Sequence, residues 1–478
     1  MSQTFFWYDY ETFGISPGSD RVSQFAGLRT DSELNLIADP ILEYCQPADD
    51  FLPDPGACLI TGISPQLCLQ KGLPEYQFIE KIHQQFSTPE TCIVGYNNIR
   101  FDDEFTRFLL YRNFYDPYAH EWQNGNSRWD LLDIARLTGA LRPDGINWPK
   151  NDEGKNSFRL ELLTQANGIE HENAHDALAD VYATIAFAKL IKEKQPKLFD
   201  FCLSLRHKHK VSEIISVHAP KPFIHVTGMY PGEYGHCAIV YPLMQHPSNK
   251  NAILVYDCRY KPDELPGLSV EDIKYRLFTN RQQLETEQLE RIAIKSIHIN
   301  KCPAVAPLST LNPAAQERNN INLSEQLQNA EKVASISTLS NKLTQCFTIT
   351  EKVKSDADQA LYTGGFFSPG DKEEMNKLRF QSPEKMVTEN FKFTDPRLDD
   401  LFFRYKGRNF KDLLSSEDLE KWQQYRLDRI LNPESPAKFT LEDYYQQLKT
   451  IKSEHSNNNS ALISQLEAYP KLIGLEHG

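Results

Sequence analysis

The first apolar run of the chain, Phe5-Phe6-Trp7-Tyr8, is greasy at every position, and acids then break it at Asp9 and Glu11. Side chains two apart on a strand share a face, so this pattern predicts a buried strand that sets two carboxylates side by side. Further strand patterns lie at Val22 to Leu28, Leu36 to Tyr44 and Cys92 to Tyr96. Helical spacing marks Glu80 to Phe86, the stretch after Asp102 through Phe105, Phe108 and Leu109, and a long helix from Ala177. The polar loop Asn151 to Ser157 reads as an insertion within this region and not as a domain break. From about residue 203 the pattern turns β-like, with short strands at Cys237 to Tyr241, Ala252 to Tyr256 and Ser296 to Ile299 and a turn at Pro231-Gly232.

Helical spacing returns at Ser324 to Lys342 and dominates after about residue 355. Ser368-Pro369-Gly370-Asp371 and Ser415-Ser416-Glu417-Asp418 each combine a capping serine with an early acid, the signature of a helix start. Arg404 to Phe410 mixes bases and rings; it reads either as an amphipathic helix ending at Gly407 or as a surface for nucleic acid. The expected architecture is α/β over residues 1–200, β-rich over 201–352 and helical over 355–478.

Three stretches carry candidate chemistry. Asp9 and Glu11 on one face of an apolar strand call for a hard cation, since unpaired buried carboxylates are costly; a polar edge facing water is the plain alternative. Asp102 follows the Cys92 to Tyr96 strand and the Asn97-Asn98 turn, near a helix start, where α/β folds present their chemistry. Asp102 and Asp103 can equally serve only to cap that helix. His175 and Asp180 are separated by about 140° on an ideal helix. They reach one cavity only if His175 precedes the regular helix; Asp176 with Asp180 is the alternative pair on one face.

Taken in order, these pieces resemble the DEDDh exonucleases of the DnaQ-like superfamily, with Asp9, Glu11, Asp102, His175 and Asp180 at the five characteristic positions. The flanking text is similar to the bacterial exodeoxyribonuclease I family: Asp9 to Gly14, Gly95 to Glu104, Asn126 to Asp133, Gly168 to His171, Asn173 to Ala177, and further on His298 to Pro303 and Arg408-Asn409-Phe410. The likeness spans essentially the whole chain. It implies a ribonuclease H-like exonuclease domain, then an SH3-like domain, then a C-terminal helical domain. It also implies processive hydrolysis of single-stranded DNA from the 3′ end to 5′-mononucleotides, in DNA repair and recombination.

The acids suit that chemistry. Paired divalent ions about 3.5–4 Å apart can stabilise both the attacking and the leaving oxygen of a phosphodiester. Asp9, Glu11, Asp102 and Asp180 would hold two Mg²⁺ ions, with Mn²⁺ a possible substitute, and Mg²⁺ keeps enough waters to leave room for substrate. An imidazole with an ordinary pKa of about 6.5 can take a proton from water near neutrality, which gives His175 the role of general base. Glu11 and Arg159 are expected at the substrate; Arg159 could otherwise pair with Glu161 or Glu170.

Composition complicates the picture. The 478 residues carry 52 Lys plus Arg against 65 Asp plus Glu, a net charge of −13, so a polyanion must be held by a local groove and not by the global field. Interleaved bases and rings are the sequence-tolerant way to hold single strands. Arg107, Tyr118 and Trp122 lie in such a region, and Arg206 to Lys210 forms a cationic cluster. The resemblance favours Lys208 there and adds Arg136, Asn300 and Lys301 as expected DNA contacts. It further implies a partner, the C-terminal tail of single-stranded-DNA-binding protein, with Arg142 as a candidate anchor for its carboxylate; a salt bridge to Asp144 is the alternative. Nine cysteines without paired spacing read as reduced, mostly buried thiols, and no apolar run is long enough for a bilayer. A monomeric cytoplasmic protein with no membrane contact is expected. A DEDDh ribonuclease and a catalytically silent DNA-binding protein are the competing readings.

Overall fold

Even- and odd-numbered side chains of β1 (Thr4–Thr12) do different work. Phe6, Tyr8 and Tyr10 enter a core with Phe25, Phe78, Phe86, Phe105 and Leu109, while the opposite parity carries Phe5, Trp7 and then Asp9 and Glu11. This computed structural model describes residues 3–171, 176–348, 355–454 and 459–475. The chain forms two units: Met1–Ser127 with Glu172–Tyr182 and Val353–Gly478, and Arg128–His171 with Ala183–Lys352. The 1–200 region is thereby shared between them.

In the first unit β2 (Val22–Thr30) pairs antiparallel with β1, β3 (Ile41–Tyr44) pairs antiparallel with β2, and β4 (Thr91–Gly95) lies parallel to β1 on its other side. The third strand is shorter than the expected Leu36 to Tyr44. Pro40 lacks the N–H a ladder needs, and Leu36 makes only an isolated bridge to Thr30. The helix Glu75–Phe86 begins five residues earlier than its apolar spacing suggested, directly after Pro74. β5 (Ser127–Asp130) carries the chain from the first unit into the second.

The second unit holds an antiparallel five-stranded sheet of β6 (Phe223–Val226), β7 (Cys237–Gln245), β8 (Ala252–Asp257), β9 (Ile294–His298) and β10 (Ala304–Pro307), in the order β10-β6-β7-β8-β9. The helical stretch expected at Ser324 to Lys342 is two helices, Leu323–Ala334 and Leu339–Phe347. At the break the Ser335 hydroxyl donates to the Lys332 carbonyl at 2.7 Å, a local bond that competes with helix continuation.

The C-terminal helices of the first unit start as their sequence indicated, with Ser368 accepting from Asp371 N and Ser415 from Asp418 N. One boundary differs. The helix Pro396–Asn409 runs through Gly407 instead of stopping there, because a Cβ at 407 would fall inside the Trp422 indole. Glycine is present for close approach, not for a turn.

Arg404 and Arg408 of this helix point inward. Arg404 makes two 2.7 Å bonds to Asp356, and Arg408 bridges Asp50 at 2.7 Å and Asp358 at 2.6 Å. Burial alone would push the Asp50 carboxyl up, yet Arg408 and Arg429 hold it down at about 2. The C-terminal helices are thus pinned by ion pairs to the loop after β3. Among the described residues no helix is long and apolar enough to cross a membrane, and all nine cysteines are free and buried.

Removing one partner of a buried pair leaves the other uncompensated. Arg408→Ala is therefore expected to destabilise the first unit by about 3–5 kcal/mol, read as a lower urea midpoint at pH 7.

Candidate active site

Asp9 and Glu11 stand opposite Ala26 and Gln24 in the β1–β2 ladder, side by side on the face away from the aromatic core. The helix Ala177–Lys194 brings Asp180 to them. One oxygen from each of Asp9, Glu11 and Asp180 lies within 4.8 Å of the others. Asp102, first residue of the helix Asp102–Arg112, lies beside this trio, its Oδ1 accepting from Tyr10 N at 3.2 Å.

Asp102 and Asp103 divide the two roles that their sequence left open. Asp103 is structural: it accepts from the Tyr8 hydroxyl at 2.5 Å and from Asn98 Nδ2 at 3.3 Å, inside the core. Asp102 faces the acids, and its charge is felt by both Asp9 and Glu11. Asp176 caps the Asp180 helix, accepting from Leu178 N and Ala179 N at 3.1 and 3.2 Å, and still lies near enough to act on Glu11. His175 falls outside the described residues.

Electrostatics define what the cluster wants. Burial, and then the charges of Asp180, Asp102 and Asp176, push Glu11 up to about 8. Asp9 is raised by burial and by Asp102, Glu11 and Asp180. Carboxylates gathered this closely repel one another, and an all-oxygen donor set fits a hard divalent ion better than a soft one.

The expected substrate contacts occupy varied settings. Trp122 is exposed and Tyr118 half-buried, the latter edge-on to the exposed Phe366 with centroids 5.8 Å apart. Arg107 is buried and engaged, at 2.7 Å from both Glu104 and Glu121 and 3.1 Å from the Tyr362 hydroxyl. Sequence reading missed Tyr362, which also bonds Glu104; its aromatic pattern lay 255 residues from Arg107. In the second unit Arg159 is exposed and paired with Glu161. Arg136 binds Asp133 at 2.7 Å and packs where a Cβ at Gly228 would stand. Lys208 is exposed and donates to Asn251 at 2.6 Å. Asn300 is exposed, its carbonyl accepting from Arg128 at 3.4 Å, and Lys301 is half-buried. Arg142 donates to the carbonyls of Leu141 and Thr310, at 2.6 and 3.1 Å.

Known proteins align with this arrangement along its length. Models of an Exonuclease domain, an Exonuclease I SH3-like domain and an Exonuclease I C-terminal domain match residues 6–188, 206–349 and 355–473. Exodeoxyribonuclease I of Haemophilus influenzae is 44% identical over 473 residues, covering 98% of this chain and 99% of the relative. The crystal structure of Escherichia coli Exonuclease I with a dA16 oligonucleotide superposes with a TM-score of 0.94 at 44% identity, covering 99% of this chain and 100% of that one. A structure of SSB/Exonuclease I with the inhibitor CFAM matches at 42% identity and a TM-score of 0.91, again over 99% and 100% of the two chains.

The raised Glu11 carboxyl carries a pH dependence of known sign. Between the ordinary value of 4.5 and about 8 the metal-free folded state holds a proton that the unfolded state has released, so this group's contribution to stability falls as pH rises through that window. With EDTA present, Glu11→Gln should raise the thermal midpoint relative to the parent at pH 8 and change it little at pH 4.5. The difference is expected to be at least about 1 kcal/mol, read by calorimetry at the two pH values.

Proposed function

The chain belongs to the exodeoxyribonuclease I family and is an exonuclease, and from that membership we infer that it hydrolyses single-stranded DNA from the 3′ end, releasing 5′-mononucleotides. The observation that carries the reading is the convergence of Asp9, Glu11 and Asp180, with Asp102 beside them, on a strand within the matched exonuclease region. A divalent metal site is consistent with that donor set, and we assign it to two Mg²⁺ ions with Mn²⁺ as substitute. Such ions, when bound, supply positive charge at the attacking and leaving oxygens.

The remaining work falls to the chain. Asp9, Glu11, Asp102 and Asp180 would hold those ions, and through them the scissile phosphate, at a place fixed by β1 and the two helices. We assign the general base to His175 on its place in the sequence, five residues before Asp180. Arg159, exposed beside Glu161, can exchange that carboxylate for a backbone phosphate.

For the strand itself we propose contacts at Trp122, Tyr118, Lys208, Asn300 and Lys301, where rings, cations or an amide are exposed or half-exposed. Arg107 and Arg136 would act by holding the rings and loops around them, since their guanidinium groups are engaged by acids. Local placement of this kind reconciles DNA binding with a net charge of −13. A division of roles among residues 1–200, 201–352 and 355–478 supports processive degradation, and a role in repair and recombination follows from the substrate. Arg142 is our candidate anchor for the C-terminal tail of single-stranded-DNA-binding protein, in keeping with the SSB complex of a relative. We place the protein in the cytoplasm as a monomer, where free buried thiols stay reduced.

Digestion of an end-labelled oligonucleotide tests the assignment. With Mg²⁺ the parent should release mononucleotides from the 3′ end of DNA in preference to matched RNA, and EDTA should abolish it. Asp180→Asn is expected to retain strand binding and lose turnover by at least about 100-fold; unchanged cleavage would remove the metal role of Asp180. His175→Ala should cost about 10²–10⁴ in turnover at pH 7 with little change in binding.

A further inference from the structure

Glu11 sits at the last regular pair of its ladder. Register between β1 and β2 shifts between Glu11 and Thr12, with Thr12 paired to Val22 beyond the irregularity, so the backbone after Glu11 answers to the loop that follows as well as to the sheet. That loop is held at each step. Thr12 Oγ1 donates to Gly14 O at 2.7 Å, Phe13 N to Arg21 O at 2.8 Å, and Asp54 N to Phe13 O at 2.8 Å.

Asp20 closes the loop. Its Oδ2 accepts from Ser16 N at 2.8 Å, its own N donates to Ser16 O at 2.7 Å, and its carboxylate fills the space where a Cβ at Gly14 would stand. The residue is fully buried, and among the described residues its Oδ1 has no hydrogen-bond partner. A carboxylate in that position needs a counter-charge. Lys438 provides it from the C-terminal region, with Nζ at 3.3 Å from Asp20 Oδ2 and 2.8 Å from Asp54 Oδ2. Gln359 ties the same pieces together, its Nε2 donating to Ser19 Oγ at 3.0 Å and to Pro436 O at 2.9 Å.

We propose that Lys438 is a positioning residue of the active site, acting through Asp20 to fix the loop that sets Glu11. The proposal rests on the metal-dependent nuclease reading above. Without the ammonium group Asp20 must take up a proton or turn toward water. Either change loosens Ser16 and the loop, and Glu11 shifts relative to Asp9 and Asp180. Metal affinity and turnover suffer, while strand affinity, set by residues elsewhere, holds.

Full-length Lys438→Met, Lys438→Arg and the double variant Lys438→Met/Asp20→Asn test this. In Lys438→Met we expect Mn²⁺ affinity by calorimetry to fall about tenfold and kcat on an oligo-dT substrate to fall about 10- to 100-fold, with KM for DNA within about twofold. Arginine at 438 should preserve most activity. Asparagine at 20 keeps the acceptor for Ser16 N and removes the charge, so the double variant should regain most of the turnover lost in Lys438→Met.

Unchanged kcat and Mn²⁺ affinity in Lys438→Met overturn the proposal, as does a folded double variant with no recovery. If Lys438→Met alone fails to fold, the double variant decides: near-parental turnover supports the coupling and a loss of about tenfold or more overturns it. Inactivity of the parent with Mg²⁺ would strike the nuclease reading instead, and the Mn²⁺ titrations would still report on the coupling.

Discussion

Like charges crowded into a half-buried space set the central constraint of this molecule. Asp9, Glu11 and Asp180 converge within 4.8 Å, next to Asp102, and the charges of Asp180 and Asp102 bear on Glu11. A protein pays for such an arrangement in stability unless a cation arrives. The acids are held against one another by an aromatic core beneath β1, a parallel neighbour in β4, and a helix whose first residue is Asp102. The donor set itself is all oxygen, which matches a hard divalent ion better than a soft metal.

Opposite charges solve a different problem a short distance along the chain. Asp50, Asp356 and Asp358 meet Arg404, Arg408 and Arg429 in a buried network, and Lys438 meets Asp20 and Asp54. Both sets join the C-terminal helices to the loops that follow β1 and β3. Apolar packing between the same elements, around Phe13, Phe51, Tyr444 and Tyr469, supplies cohesion without direction. Ion pairs with defined forks add orientation, which a loop bordering a metal site requires.

Legibility in the sequence followed the range of the interaction. Asp9 and Glu11 were readable because a two-residue period is local, and the capping serines at 368 and 415 because a cap is made within four residues. The split of roles between Asp102 and Asp103 was not readable: both open the same helix, and what separates them is Tyr8, distant in sequence on β1. Gly407 looked like a helix end until the Trp422 ring occupied its missing side chain. Arg404 and Arg408 read either as part of an amphipathic helix or as a surface for nucleic acid, and their partners are acids that adjacent residues do not announce. Family resemblance supplied the order of the domains, which periodicity alone could not name.

The first unit is assembled from three separate stretches, the last beginning at Val353. Synthesis on the ribosome runs in one direction, so β1 and its acids emerge early and wait for more than two hundred intervening residues before their remaining neighbours exist. Newly made chains therefore pass through a period in which the strand of Asp9 and Glu11 and the loop after it are present but Gln359 and Lys438, which brace that loop, are not. Closure of that loop onto the C-terminal region is therefore a later event than the synthesis of all four acids.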